Sequence, residues 1–332
     1  MTLSIDPHEL HKAFSGKTIL IVGDVMIDSY LWGKVDRISP EAPIPIVSVT
    51  HRENRLGGAA NVALNIMELG SEPILCSVIG NDEKGRIFKD LLQQKKLSEA
   101  GIVIDVERKT TVKNRIISNN QHLLRVDDEV SHAISDKISD AIFRRIVKIC
   151  KEKTVSAIIF EDYDKGVITP ALIAKLTQFA VKNNIITAVD PKKRNFDKYY
   201  HVTLFKPNFK EFCDGLKCNI AKTDYDSLKE YAREFMSARQ IQIMFITLSE
   251  EGVFITNGKE WHHLPAEKRD IADVSGAGDT VISTATLCLT AQLGILDTAK
   301  IANLAGGLVC EKSGVVPISI SELIDEIKNA ES

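Results

Sequence analysis

DVSGAGDTVISTATLCLTAQL, residues 273–293, joins a glycine-bearing turn to an apolar run. From Val281 to Leu293 the run has no polar face, the pattern of a helix buried on all sides. Gly276 and Gly278 stand where the loop becomes that helix. Backbone N–H groups at such a start have no intrahelical acceptor and the helix dipole favours an anion, so the turn has the geometry of a phosphate site. Asp279 lies beside those amides, where its carboxylate could accept a proton from an attacking hydroxyl; phosphoryl transfer asks for positioning and charge neutralisation more than for a strong base. A helix-capping turn would account for Asp273 or Asp279, but not for both flanking Gly-Ala-Gly.

Outward from this helix the chain alternates two patterns. Continuous apolar runs at 18–23, 73–80, 156–162, 186–190, 202–207 and 243–249 read as strands covered on both faces. Helical patterns at 61–70, 85–97, 136–152, 170–184 and 225–240 lie between most of them. Such alternation predicts an α/β fold, a large and mainly parallel sheet flanked by helices. Two stretches depart from it. PIPIVSV (43–49) and TTVKNRIISNNQHLLRVD (110–127) alternate apolar and polar residues, with Asn119-Asn120 as a hairpin turn. They predict a small antiparallel lid, formed by about 31–50 and 110–127, on a single domain covering 1–332.

Composition narrows the function classes. With 42 basic against 45 acidic residues and no basic tail, a general nucleic-acid or anionic-membrane binder is disfavoured and a small-molecule partner expected. No window reaches the roughly 18 apolar residues that span a bilayer, and the first residues lack a signal-peptide pattern, so the cytoplasm is the expected location. The six cysteines are scattered and read as reduced thiols. Cys213 and Cys218 have no second Cys/His pair to make a zinc site.

Further candidates lie at strand ends and helix starts. GDVMID (23–28) ends the first apolar run, where open α/β sheets bind ligands, so Asp24 and Asp28 could accept hydrogen bonds from sugar hydroxyls. The plain alternative is a turn cap and a solvated acid. In LGGAANVA (56–63), Gly57 and Gly58 permit close approach of a ligand to the backbone, and Asn61 opens a helix; a tight turn with an N-cap is the alternative. No G-x-G-x-x-G follows the first strand, which disfavours a dinucleotide enzyme. In KPNFKEF (206–212), Asn208 and Glu211 share one face of a helix start and could hold waters of a Mg²⁺ ion, although in isolation a capping pair explains them better.

Taken in this order, GDVMID, GGAANVA, KPNFKE and DVSGAGDT resemble the PfkB/ribokinase family of ATP-dependent sugar kinases across nearly the whole chain. The resemblance implies a ribokinase-like body with a small β-sheet lid that closes over the sugar and often joins a dimer. It implies Asp279 as base, an anion hole from Gly276, Ala277 and Gly278, and a sugar site including Asp24, Asp28, Gly57, Gly58, Asn61 and Asp162. For ATP and Mg²⁺ it implies Asn208 and Glu211, with Thr247, Ser249, Gly252 and Asn303 on the nucleotide, and it raises a monovalent cation, K⁺, near Asp273.

The segments at 32–49, 111–127, 161–169, 189–200 and 247–255 narrow the resemblance to the family's D-glycero-D-manno-heptose 7-phosphate kinases, which act on the C1 hydroxyl. Ser249 stands where many ribokinase-type chains carry Gly, and the heptose kinases often have Ser there. A sugar already bearing phosphate needs cations. Lys113, Arg115 and Arg125 on the lid strands, Lys192, Lys193 and Arg194 after another strand end, and Arg37 are the candidates. Many such relatives continue into a nucleotidylyltransferase domain with H-x-G-H, a motif none of the eight histidines forms, so the kinase step alone is expected. Fructose 6-phosphate, ribose or a nucleoside remain alternative acceptors, and a non-catalytic sugar-phosphate sensor the alternative class.

Overall fold

The strand TILIVG (β1, Thr18–Gly23) is buried at every residue. Its side chains alternate between two cores: Ile19 and Ile21 pack into one, Leu20 and Val22 into the other. A strand with an apolar layer on each face needs no polar face, hence the uninterrupted run. The computed structural model describes residues 3–119, 121–267, 269–312 and 314–331.

After β1 come β2 (Val25–Ile38), β3 (Pro45–Gly58), β4 (Glu72–Gly80), β5 (Ser98–Asp105), β6 (Val112–Ser118) and β7 (Gln121–Asp128). Then follow β8 (Val155–Glu161), β9 (Ile186–Asp190), β10 (Leu204–Phe205), β11 (Ile243–Thr247), β12 (Val253–Thr256) and β13 (Trp261–Leu264). The helices are α1 (Pro7–Phe14), α2 (Ala59–Glu68), α3 (Glu83–Gln94), α4 (Asp136–Glu152), α5 (Pro170–Lys182), α6 (Phe209–Leu216), α7 (Tyr225–Arg239), α8 (Ala277–Thr290), α9 (Ile295–Cys310) and α10 (Ile320–Glu331).

The large sheet runs β13-β12-β11-β10-β9-β8-β1-β4-β5, parallel from β11 to β5, with β12 and β13 antiparallel at one edge. Helices α2, α8 and α9 supply one core layer, and α4, α5 and α7 the other. The α/β class expected from the alternation is therefore observed. The second sheet, β3-β2-β6-β7, has four strands.

Several boundaries differ from the sequence reading. The first hairpin is much longer than 31–50: β2 starts one residue past β1, and β3 runs on to Gly58, where Ala59 N–H donates to Asp24 C=O at 2.9 Å. β6 and β7 pair from Val112↔Asp128 to Ser118↔Gln121, and Asn120 of the expected turn lies outside the described residues. β5 was not anticipated because it is an edge strand whose first three residues are exposed. In α9 the pair Gly306-Gly307 obscures the helical pattern; a methyl at Gly306 would come within 2.7 Å of Val281, so the glycine lets α9 approach α8 closely. Among the described residues no helix is long and apolar enough to cross a membrane.

Candidate active site

Helix α8 begins at Ala277 with Gly276 as N-cap at φ 86°, a left-handed conformation that glycine adopts at little cost. Asp279 is the third residue of its first turn, and from Asp279 to Cys288 every residue is buried. The helix carries one acid and five hydroxyl residues yet no exposed face, because most of its hydroxyls bond inward: Ser283 to Asp279 C=O at 2.7 Å, Thr286 to Ile282 C=O at 2.7 Å and Thr280 to Asn65 Oδ1 at 2.8 Å.

Both oxygens of Asp279 are held. Asn61 Nδ2 donates to Oδ2 at 2.6 Å and Tyr163 O–H donates to Oδ1 at 3.0 Å. Burial pushes the Asp279 carboxyl up to about 6, with Asp190 adding to the rise, while the two hydrogen bonds oppose it. A carboxylate in this state can accept a proton near neutral pH. Asn61 Oδ1 is buried and has no hydrogen-bond partner among the described residues.

Behind Gly278 lies a charged layer. Lys206 Nζ pairs with Asp190 Oδ2 at 2.7 Å, and Lys192 Nζ lies 3.4 Å from Asp190 Oδ1 and also reaches Glu211. The two ammonium groups hold Asp190 ionised against its burial. Glu161 is buried beside Asp190 and Asp279, and desolvation with those two like charges raises its carboxyl well above the usual range. A methyl at Gly278 would stand 3.7 Å from Lys206 Nζ, so this helix start faces a cation directly.

Some expected sugar contacts are otherwise engaged. Asp24 accepts from the backbone N–H of Tyr163 at 2.9 Å, Lys165 at 3.1 Å and Val167 at 2.9 Å. Its visible work is to hold the loop after β8, not to present free oxygens. Asp162 likewise accepts from Asp164 N–H at 2.8 Å and Asn195 Nδ2 at 2.9 Å inside that loop. Lys192 is committed to the charged layer. Arg194 donates to the carbonyls of Ser131 and Asp164. Lys193 and Arg37 are exposed.

The small sheet presents a charged face. Asp28 pairs in register with Lys113 and, through its carboxylate, with Arg115. Gly57 makes room for it, since a methyl there would meet Asp28 Oδ2 at 2.3 Å. Arg115 and Arg55 both lie over the Tyr30 ring, at 5.3 and 4.8 Å. Arg125 is exposed and pairs with Asp127 at 3.0 Å. Burial lowers the Lys113 ammonium, which has no ion pair within 4.0 Å among the described residues. Arg55, absent from the sequence reading, points toward the loop that follows α9: a methyl on Gly314 would be 3.3 Å from its guanidinium. Asp273 accepts from Ser275 N–H at 2.9 Å and Gly314 N–H at 3.2 Å, which closes the loop before α8.

Beyond Ala277 and Gly278 opens an apolar cavity of about 420 Å³. Thr247, Ser249 and Gly252, which lie close together in sequence, line it together with Asn303 of α9. Gly252 is at φ 85°, and a methyl there would strike Leu264 C=O at 2.0 Å. Asn303 turns its amide to Pro265 C=O at 2.9 Å. Asn208 and Glu211 form a reciprocal capping box on α6, with bonds of 2.8 and 2.9 Å. One Glu211 oxygen also meets Lys192, so the pair suits the outer waters of a Mg²⁺ ion rather than direct ligation.

Tyr163, Asp190 and Lys206 also escaped the sequence reading. All three stand at strand ends, Asp190 as the last residue of β9 and Tyr163 and Lys206 just after β8 and β10, which is the one signal that could have found them.

A mainly parallel sheet with a helix start, a nucleotide-sized cavity and a charged β-flap at its carboxyl end defines a ribokinase-like kinase fold. The chain belongs to the pfkB family: the model described as pfkB family carbohydrate kinase matches residues 17–322. It is 38% identical over 93% of its length to the bifunctional protein HldE of Geobacter sulfurreducens, and 39% identical over 94% to that of Sulfurimonas denitrificans. It spans only 62% and 64% of those relatives. Phosphofructokinase-2 from Escherichia coli in complex with potassium superimposes with a TM-score of 0.77, covering 95% of this chain and 99% of that one at 16% identity.

Proposed function

We propose that this chain transfers the γ-phosphoryl group of ATP to the C1 hydroxyl of D-glycero-D-manno-heptose 7-phosphate, giving heptose 1,7-bisphosphate and ADP. The observation that carries the transfer is Asp279, a buried carboxylate at a helix start, gripped by Asn61 and Tyr163 and adjoining a cavity of nucleotide size. The choice of heptose 7-phosphate rests on the motif resemblance and on the cations of the flap. The product suits nucleotide-activated heptose synthesis in the cytoplasm, for a lipopolysaccharide core or a related glycan.

In this reading Arg55, Lys113 and Arg115 hold the sugar's own phosphate, with Arg125 at the rim, and Asp28 takes a hydroxyl in the space left by Gly57. Asp24 and Asp162 act at one remove, by shaping the loop after β8. Asp279 removes the C1 hydroxyl proton as that oxygen bonds to the γ-phosphorus; the bond to the bridging oxygen breaks and ADP leaves. The amides of Gly276, Ala277 and Gly278 neutralise the charge that develops. Thr247, Ser249, Gly252 and Asn303 line the nucleotide pocket. Asn208 and Glu211 would hold waters of Mg²⁺, which supplies charge neutralisation at the β- and γ-phosphates.

Asp279→Asn should lower kcat by roughly 10²–10⁴ while nucleotide affinity is retained. Full activity in that variant removes Asp279 from the role. A coupled ADP-release assay over heptose 7-phosphate, fructose 6-phosphate, ribose and a nucleoside checks the acceptor; preference for an unphosphorylated sugar sinks the heptose-phosphate reading.

A further inference from the structure

The loop EDYDKGVI, residues 161–168, is fixed from several sides. Asp24 binds three of its amides. The buried Arg108 guanidinium donates to Lys165 C=O at 2.7 Å, and Arg194 donates to Asp164 C=O at 3.3 Å. Asn195 Nδ2 donates to Ile168 C=O at 3.0 Å, and Ile134 N–H donates to Gly166 C=O at 2.9 Å. So many restraints on one short loop fix the backbone of Tyr163, and its phenol meets Asp279 Oδ1 at 3.0 Å.

We infer that Tyr163 is a positioning residue for phosphoryl transfer: its O–H orients the Asp279 carboxylate and keeps it ionised, and the Asp24-anchored loop exists to aim that O–H. The inference rests on Asp279 being the base.

The chemistry follows from the direction of the bond. A donor to a carboxylate favours the charged form, which is the form that can take the sugar proton. Asn61 holds the other oxygen, so the two donors together fix the plane of the carboxylate. The other charged groups at Asp279 are Glu161 and Asp190, which disfavour its ionisation, and Lys206, which favours it. Lys192 lies 5.9 Å from the Tyr163 ring centroid and holds that ring from behind. None of these four groups is removed by a change at Tyr163, so an effect of the hydroxyl can be read alone. No proton needs to leave the phenol. It donates to the carboxylate before transfer and to the neutral carboxyl after it.

The test is the pH dependence of kcat/KM with saturating Mg-ATP, for the wild type, Tyr163→Phe and Asp279→Asn. Tyr163→Phe should move the acidic limb upward by about one pH unit and lower kcat roughly tenfold, with the KM for ATP unchanged. Replacing Tyr163 by 3,5-difluorotyrosine, a stronger donor of nearly the same shape, should move the same limb downward. A merely structural tyrosine would give no shift, or shifts of one sign in both variants, and either result overturns the inference while leaving the base in place if Asp279→Asn is inactive. Full activity of Asp279→Asn overturns the base itself and this inference with it.

Discussion

If Asp279 is the base, as proposed, it is the residue at which stability and activity oppose each other. Its carboxyl is raised from 3.8 to about 6 by burial, so the folded chain bears the cost of an ionised, desolvated acid above pH 6. That cost is on the order of 3 kcal/mol, and it disappears as pH falls through 6 toward 3.8, where the folded state takes up its proton before the unfolded state does. Asp279→Asn should therefore melt higher than the wild type at pH 8, and the gap should shrink to about half by pH 5 and close only below about pH 3.8; thermal scans across this range check both halves. The same titration predicts that kcat/KM drops about tenfold per pH unit below pH 6, because only the ionised form accepts the sugar proton. Asp279 and Asn61 were legible because glycines and helix starts surround them. Tyr163 was not: its partner is 116 residues away, and an aromatic beside a strand end usually belongs to the core. Asp24 shows the converse. Its position beyond β1 was readable, but whether a ligand or a loop would take its oxygens depended on where residues 163–167 fold back.

At the scale of elements, the helix starts divide the work. The start of α8 has no side-chain cap, although Ala277 N–H already donates to Val274 C=O at 3.3 Å, whereas the start of α6 is closed on itself by the Asn208/Glu211 box. Asn208→Ala should cost about 1 kcal/mol of stability through the lost cap. Asn208→Ser keeps a capping hydroxyl but loses reach, so its stability should stay near that of the wild type while the KM for Mg-ATP rises several-fold. Equal KM values would confine the pair to capping. Periodicity made β1, β4, β8, β9 and α8 readable, since two-sided burial leaves continuous apolar runs. Edge position hid β5, and close helix packing through Gly306 hid α9.

At the scale of the molecule, the small sheet has two unlike faces. Asp28, Tyr30, Lys113 and Arg115 share the charged one; Leu31, Ile116, Leu124 and Val126 share the other. Leu124 is 56% exposed and Val126 48%, a combination that suits burial against a second copy of the chain. We propose a homodimer formed through this face. Leu124→Glu with Val126→Glu should convert it to monomer in sedimentation experiments, and an unchanged mass at micromolar concentration argues against that interface. The alternation along the strands carried this two-sidedness; the full length of β2 and β3 did not emerge because their inner parts, VMIDSY (25–30) and HRENRLGG (51–58), lack a regular alternation of apolar and polar residues. The first hairpin leaves the body after β1 and returns at Gly58, where Ala59 N–H closes on Asp24 C=O. Its two strands are paired up to Ile38↔Pro45, and the turn beyond that pair can change length cheaply, at only about 0.6 kcal/mol of closure entropy per doubling of a flexible loop. Descendants of this chain could thus lengthen or shorten the tip of the hairpin and change its acceptor while inheriting the start of α8 unaltered.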